Sequence, residues 1–281
     1  MKKYFVCSDI HSFYNLWMKA LQEAGFEKDN PNHILIHCGD LLDRGEDPEE
    51  CLNFVNNLPT DRKILIRGNH EDLIEECISR GYFLGHDIHN FTHDTACKLT
   101  GKVFNENTDY EILGALQEYE PLWTYLDSCV DFAEVGDNIF VHGWIPYESE
   151  MIDDPEKEGY VVINRYIADN WREPFKDWAD ARWLNGMDCW DRGIRLPGKT
   201  VYCGHYHCSW GNSNLHNDGV EFLEEIETYY IDPETGKQNP YINWNPFKDE
   251  GIVALDACTA YSHIVNIEVI EVNEDEDKNN S

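Results

Sequence analysis

The run Gly39-Asp40-Leu41-Leu42-Asp43-Arg44-Gly45 follows directly on the apolar stretch Ile34-Leu35-Ile36-His37-Cys38. Five mostly apolar residues closed by a glycine have the length and composition of a buried strand. Two carboxylates, an arginine and two glycines then gather just beyond the strand's carboxyl end. The same layout recurs on either side. Residues 4–7 are apolar and lead into Asp9-Ile10-His11; residues 64–66 are apolar and lead into Arg67-Gly68-Asn69-His70-Glu71. Between these strands the spacing becomes helical. Leu16, Trp17, Ala20, Leu21 and Ala24 share one face, with Gly25 as a stop, and Pro48 opens a second helix whose inner face carries Leu52, Val55 and Leu58. A βαβαβ start implies a parallel sheet with right-handed crossovers, and in such sheets ligands bind outside the carboxyl ends of the strands. Each polar motif falls there.

Further along, residues 72–128 have a mainly helical pattern without a motif that points to chemistry, which suggests a cap or insertion. Strands are expected at 130–135 and 138–141 around a Gly136-Asp137 turn, the second ending at His142-Gly143. Residues 145–198 are rich in Trp, Asp and Pro and show no clear period. A strand at 200–203 ends at Gly204-His205-Tyr206-His207, and strands at 252–255 and 264–272 close the chain. Residues 211–250 form an acidic excursion with nine acids and two lysines, and residues 273–281 an acidic tail expected to be disordered. The organisation expected is one domain over 1–272, carrying a helical insertion at about 72–128.

The 281 residues hold 54 acids against 22 lysines and arginines, a net charge of −32. Such a surface repels nucleic acid and anionic membranes and attracts divalent cations, so neither a nucleic-acid nor a membrane partner is expected. The ten cysteines lack paired zinc-ribbon or disulfide-framework spacing, and Cys7, Cys38 and Cys203 lie inside apolar runs. Free buried cysteines indicate a reducing compartment. The apolar run after Lys2-Lys3 is too short for a signal peptide, and no stretch is long enough to span a bilayer. A cytoplasmic location is expected.

The motifs carry their own chemistry. Asp9 and His11 are two positions apart, so in an extended segment both reach one face and one cation. Carboxylate with imidazole suits Mn, Fe or Zn. Asp40 has two oxygens and is able to bridge two cations. Arg44 needs a carboxylate or a phosphate to pair with. Asn69 offers a neutral oxygen and His70 a proton donor, while His142, His205 and His207 add imidazoles after strands. Five of the twelve histidines fall at strand ends on one side of one sheet, which packing does not explain. Cys38 and Arg44 also have the Cys-x5-Arg spacing of cysteine-dependent phosphatases. That match is discounted, because a loop cradling phosphate should not also aim Asp40 and Asp43 at it. His86, His89 and His93 are an accidental cluster on a helical insertion. Trp171, Trp178, Trp183 and Trp190 are expected to pack, since no basic residues interleave with them.

The five motifs together resemble the calcineurin-like metallophosphoesterase superfamily, and 39–45 and 67–71 are most similar to its phosphoprotein phosphatase (serine/threonine phosphatase) branch. The resemblance covers the framework up to residue 142 in patches and then 200–272. It implies an α/β fold of the metallophosphoesterase type, a β-sandwich flanked by helices with a dinuclear site at the strand ends. It further implies two divalent transition metals (Mn, Fe or Zn), one held by Asp9, His11, Asp40 and His207, the other by Asp40, Asn69, His142 and His205. His70 then resembles the general acid, Asp43 the residue orienting its ring and Arg44 a phosphate clamp, with Arg182 or Arg192 as a second substrate arginine. The activity implied is hydrolysis of phosphate esters of protein or small molecules by a metal-bridging hydroxide. Ser8, Ser12 and Trp144 depart from the branch pattern, and Trp144 was a candidate for narrowing the pocket or stacking on a base. The alternatives are a dinucleoside polyphosphate hydrolase of the diadenosine tetraphosphatase type and a non-catalytic metal-binding scaffold.

Overall fold

The architecture was derived from a computed structural model that describes residues 1–105, 108–153, 160–173, 177–223 and 241–272. The expected tail at 273–281 and residues 224–240 of the acidic excursion lie outside these. The strands are β1 (Lys2–Cys7), β2 (His33–His37), β3 (Lys63–Ile66), β4 (Cys129–Val130), β5 (Ala133–Val135) and β6 (Asn138–Phe140). They continue with β7 (Tyr147–Asp153), β8 (Tyr160–Ile167), β9 (Thr200–Cys203), β10 (Phe247–Asp249), β11 (Ile252–Ala254) and β12 (Glu268–Val272).

The expected parallel core is present. β1, β2, β3 and β4 pair in parallel, and β12 adds antiparallel to β1, giving the sheet order β12-β1-β2-β3-β4. A second five-stranded sheet has the order β10-β11-β9-β6-β5, with β6, β9 and β11 parallel at its centre. One apolar cluster lies between the sheets. Tyr4, Val6, Ile34, Ile36 and Ile66 come from the first sheet, and Val135, Phe140 and Val253 from the second.

Helices α1 (Tyr14–Glu23), α2 (Pro48–Asn56), α3 (Asn69–Arg80), α4 (Gly85–His89), α5 (Thr92–Thr100), α6 (Asp109–Gln117) and α7 (Glu120–Leu126) follow in order. α1, α2, α3, α5, α6 and α7 bury their apolar faces on the outer side of the first sheet, around Phe5, Trp17, Leu35 and Leu65. On the outer side of the second sheet, α8 (Trp178–Ala181), α9 (Gly186–Asp191) and α10 (Cys208–Asn214) pack around Ile139, Val201 and Phe247. A short α11 (Thr259–Ser262) precedes β12. The layering is helix, sheet, sheet, helix, a β-sandwich flanked by helices.

Three local expectations change. The strand expected at 130–135 is two strands in two sheets, because the chain crosses from the first sheet to the second at Asp131-Phe132. Residues 147–167, which showed no period, hold the antiparallel hairpin β7–β8, whose register slips between Glu150 and Met151 and so breaks the alternation. The last strand begins at Glu268 rather than 264. Just before it, buried Asn266 donates through its amide to the carbonyls of Trp244 and Leu255 and ties the segment to a loop. The tryptophans divide. Trp171, Trp178 and Trp190 are buried as expected, but Trp183 is 51% exposed. Trp144 is a core residue at 1% exposure, with its indole N–H on the Ile194 carbonyl, and neither narrows a pocket nor offers a stacking face.

Candidate active site

The site is assembled from tight turns beyond β1, β2, β3, β6 and β9. Asp9, His11, Ser12, Asp40, Asp43, Arg44 and His205 all have φ between 49° and 72°, seven of the eleven positive-φ non-glycine residues among the described residues. Each such residue costs on the order of 1–3 kcal/mol and persists only where the surroundings over-determine it. The positive-φ residues thus concentrate on the turns that carry the motifs. The close packing also demands glycine. A Cβ on Gly39 would lie 2.6 Å from His142 Nδ1, and one on Gly68 would collide with Asp40 Oδ1.

Asp40 is the hub. Its Oδ1 accepts the backbone N–H of His70 at 3.0 Å and lies 3.3 Å from His142 Nε2; its Oδ2 lies 3.8 Å from the Nε2 atoms of both His11 and His70. Two groups of ligand atoms, each within 4.8 Å of one another, share it: His11, Asp40 and His70, and Asp40, His142 and His205. Asn69 joins the second group. Its Oδ1 is 2.8 Å from His142 Nε2 and 2.9 Å from His205 Nδ1. Strand-end carbonyls set the ring orientations. His142 Nδ1 donates to the Cys38 carbonyl at 2.8 Å and His11 Nδ1 to the Leu42 carbonyl at 2.9 Å, which turns both Nε2 atoms toward Asp40. A carboxylate shared between two sets of nitrogen donors, with a neutral amide oxygen, is a donor set that would suit divalent cations.

Electrostatics follow from burial and proximity. Burial opposes a charge on His142, but Asp40 outweighs it and holds the imidazolium up to about 10. His205 is pushed down to about 3 by burial and by the neighbouring His142. Burial, then Arg44 and His70, lower His11. Asp9 is raised by burial and by Asp256.

Asp9 and His207 stand outside the two groups found among the described residues. Both Asp9 oxygens accept the His205 backbone N–H, at 3.2 and 3.0 Å. His207 Nδ1 meets Ser209 Oγ at 2.9 Å, its ring lies among Tyr206, Phe222 and Trp244, and it belongs to neither ligand group. His70 stands in the first group instead. Its Nδ1 donates to Asp43 Oδ2 at 2.7 Å, and despite burial, Asp40 and Asp43 raise its pKa. Arg44 is half-buried and makes no hydrogen bond or ion pair among the described residues.

Both candidates for the second arginine carry carboxylate partners. Arg182 is buried and pairs through Nη1 with Asp72 at 2.7 Å and through Nη2 with Asp131; exposed Arg192 pairs with Asp188 one turn earlier on α9 at 2.8 Å. His86 and His89 are exposed, and His93 packs between Phe83 and Phe104; none of the three joins a ligand group. Cys38 is fully buried and burial pushes its thiol pKa up, which leaves no thiolate for the cysteine-dependent chemistry.

Four residues of the site were not singled out from sequence. Glu71 accepts the backbone N–H groups of Asp40, Leu41 and Gly68 at 3.0, 3.1 and 2.8 Å, and the hydroxyl of Tyr125 at 2.8 Å. It pins the turn that carries Asp40 to the start of α3. The spacing from Gly68 to Glu71 is that of a helix capping box, a signal present in the sequence. Thr92, in the insertion, donates to Asp43 Oδ2 at 2.7 Å, and Lys98 on the same helix donates to the Gly45 carbonyl at 2.9 Å. The insertion therefore takes part in the site. Asp256, just past β11, is buried, and burial lifts its carboxyl to about 6.

The family model for calcineurin-like phosphoesterase matches residues 2–218. Serine/threonine-protein phosphatase 1 of Salmonella typhimurium is 36% identical over 69 residues, 25% of this chain and 30% of that protein. The symmetrical bis(5'-nucleosyl)-tetraphosphatase of Actinobacillus succinogenes is 40% identical over 71 residues, 25% of this chain and 24% of that protein. The matched segments thus span less than a third of either relative. Among solved structures, a metallophosphoesterase from Sphaerobacter thermophilus superposes with a TM-score of 0.41 and 16% identity, covering 99% of this chain and 91% of the other.

Proposed function

The chain belongs to the calcineurin-like phosphoesterase family, and from that premise we propose that it is a metal-dependent phosphomonoesterase acting on phosphate esters of proteins or small molecules. The observation that carries the reading is the conjunction around Asp40: two ligand groups share that carboxylate, His70 of the first group is bonded to buried Asp43, and Arg44, which makes no hydrogen bond or ion pair among the described residues, follows Asp43 in the chain. Two divalent ions held by Asp40, Asn69, His142, His205 and His11 would polarise the phosphoryl group and acidify water. The residues supply the rest. With Nδ1 held by Asp43, the His70 Nε2–H is left to protonate the departing ester oxygen, and Asp40 and Asp43 favour the protonated ring. Thr92 and His70 both bond Asp43 Oδ2, which fixes the imidazole's tautomer and plane. Arg44 offers a bidentate donor fork to the phosphoryl oxygens.

The phosphoprotein phosphatase branch is favoured by the 39–45 and 67–71 motifs and by the Salmonella relative. Hydrolysis of dinucleoside polyphosphates is the second reading, favoured by the Actinobacillus relative. The charge of −32 weighs against so anionic a substrate. Ten free cysteines support a reducing, cytoplasmic setting, and among the described residues no helix is long and apolar enough to cross a membrane.

The test is a substrate panel on protein reconstituted with Mn, Fe or Zn: phosphopeptides, an aryl phosphate, a bis-aryl phosphate and diadenosine tetraphosphate. Chelator-sensitive phosphate release from monoesters is expected. Faster turnover of the dinucleotide would favour the second reading, and no turnover of any substrate would end both.

A further inference from the structure

Asp43 and Arg44 are consecutive residues in the left-handed region, with φ of 72° and 64°. Aspartate tolerates that region through its short polar side chain. Arginine has no such help, so the turn persists only where its surroundings over-determine it. Within the turn the Gly45 N–H donates to the Asp43 carbonyl at 2.7 Å. Gly45 is also pressed against the first motif, where a Cβ would collide with the His11 carbonyl oxygen. Arg44 itself makes no hydrogen bond or ion pair among the described residues. Its direction is therefore set by the backbone that carries it. Its charge acts against protonation of His11 and His70, which places the guanidinium near both.

Two side chains of α5, in the insertion, hold this turn on either side of Arg44. Thr92 donates to Asp43 Oδ2 at 2.7 Å, and Lys98 donates through Nζ to the Gly45 carbonyl at 2.9 Å. The Lys98 side chain is only 24% exposed, and its ammonium also meets Asp94 at 2.6 Å and Glu46 at 3.1 Å. An ammonium has three donors, and these three acceptors match them. The two ion pairs reach exposed or half-exposed carboxylates, and such pairs contribute little to stability. The bond to the Gly45 carbonyl is of another kind. It spans 53 residues and fixes a backbone group next to Arg44.

We propose that Lys98 is a positioning residue for Arg44: its bond to the Gly45 carbonyl holds the Asp43-Arg44-Gly45 turn in place and so aims the guanidinium at a phosphoryl group bound beside His11 and His70. The inference rests on the part of the phosphomonoesterase reading that assigns Arg44 to that group. An arginine on a loose turn has to be ordered when phosphate binds, and that ordering weakens binding. A turn fixed beforehand removes the backbone share of the cost. Lys98 acts through Arg44 and does not itself reach the phosphate. Its loss therefore weakens phosphate binding, and leaves the proton transfer at His70 to Asp43 and Thr92. The insertion thus serves the two functions from one helix, with Thr92 at its first residue on the acid's partner and Lys98 nearly two turns on at the phosphate's.

The experiment measures binding of inorganic phosphate to metal-loaded protein by calorimetry, in a double-mutant cycle of Lys98→Met and Arg44→Ala, alongside kcat and KM for phenyl phosphate. Lys98→Met keeps the apolar stem and removes the donor. Phosphate is expected to bind about tenfold more weakly, with KM rising in parallel and kcat within about twofold of the parent. In the Arg44→Ala background the same substitution is expected to change nothing, because no guanidinium is left to aim. Lys98→Arg, which still offers a donor to the carbonyl, is expected to restore most of the affinity. Asp94→Asn combined with Glu46→Gln removes the ion pairs and leaves the carbonyl bond, and is expected to stay within about twofold of the parent. Unchanged affinity in Lys98→Met, equal losses in both backgrounds, or as large a loss in the Asp94→Asn, Glu46→Gln protein overturns the proposal. Loss of bound metal or of the folded state in Lys98→Met overturns it as well, since Lys98 would then serve the fold. Phosphate binding that follows this pattern without hydrolysis of any ester would leave Lys98 in its role and end the phosphomonoesterase reading. No phosphate binding by the parent protein overturns both.

Discussion

On one side of Asp40, Asn69 stands 2.8 Å from His142 and 2.9 Å from His205, and Asp40 itself 3.3 Å from His142. On the other side His11 and His70 approach Asp40 only to 3.8 Å, while Asp9 accepts the His205 backbone N–H and His207 meets Ser209. The two halves differ in what holds their side chains. His142 is anchored by a ring N–H on the Cys38 carbonyl, and Asp40 by a turn that Glu71 pins through three backbone N–H groups. Those anchors are buried backbone groups that have to be satisfied in the fold. Asp9 and His207 are held by other partners, the His205 backbone N–H and the Ser209 hydroxyl. A preorganised half and an alternatively satisfied half are therefore expected to respond differently to perturbation.

The largest effect should follow from Asp40→Asn, which touches both halves at once. Turnover should fall on the order of 10⁴-fold, and elemental analysis should show loss of both ions, since each ligand group loses its carboxylate. Retention of one ion would show that the halves bind independently of Asp40. Next comes His70→Asn, which leaves the preorganised half intact. Turnover should drop about 10²- to 10³-fold on alkyl esters, and much less on nitrophenyl phosphate, whose leaving group needs no proton. An equal drop on both would place His70 among the metal ligands of the other half, where its 3.8 Å approach to Asp40 already sets it.

The preorganised half also makes a prediction about pH. With its imidazolium held up to about 10 by Asp40, His142 keeps a proton at neutral pH, and a metal ion has to displace it. Metal affinity should therefore rise with pH, about tenfold per unit for each proton released, until His142 titrates by itself. Calorimetry in buffers of different ionisation heat counts the protons, and uptake without proton release would contradict the arrangement. The smallest effect is expected at His207. His207→Ala should keep both ions and stay within about threefold of parental turnover, as substitutions outside a ligand set do. Loss of one ion would show that binding swings His207 away from Ser209 and into the weaker half.

Much of this was legible along the chain. The βαβαβ start followed from apolar runs and helical spacing, and the placement of Asp40, Asp43, Asn69, His70, His142 and His205 followed from strand ends. The less legible parts share a cause. The break at Asp131-Phe132, the β7–β8 hairpin and the late start of β12 depend on which partner a segment finds, and periodicity does not record the partner. Thr92 and Tyr125 lie in helices whose sequences carry no motif, and they reach Asp43 and Glu71 only because the insertion packs back over the first sheet. The pairing of Arg182 with Asp72 and Asp131 is likewise set by residues remote in sequence.

By itself the sequence determined the chemistry on offer: which ligand types are present, that they cluster at strand ends, and that an arginine and a histidine accompany them. Those properties reside in residue identity and local spacing, which a strand or a turn preserves. Tertiary structure alone decided which donors meet at Asp40 and which carboxylates the arginines meet. Those are matters of hydrogen-bond competition between residues remote in sequence. His142 turns inward because Cys38, 104 residues earlier, takes its other nitrogen, and Arg182 is withdrawn because Asp72, 110 residues earlier, takes its charge.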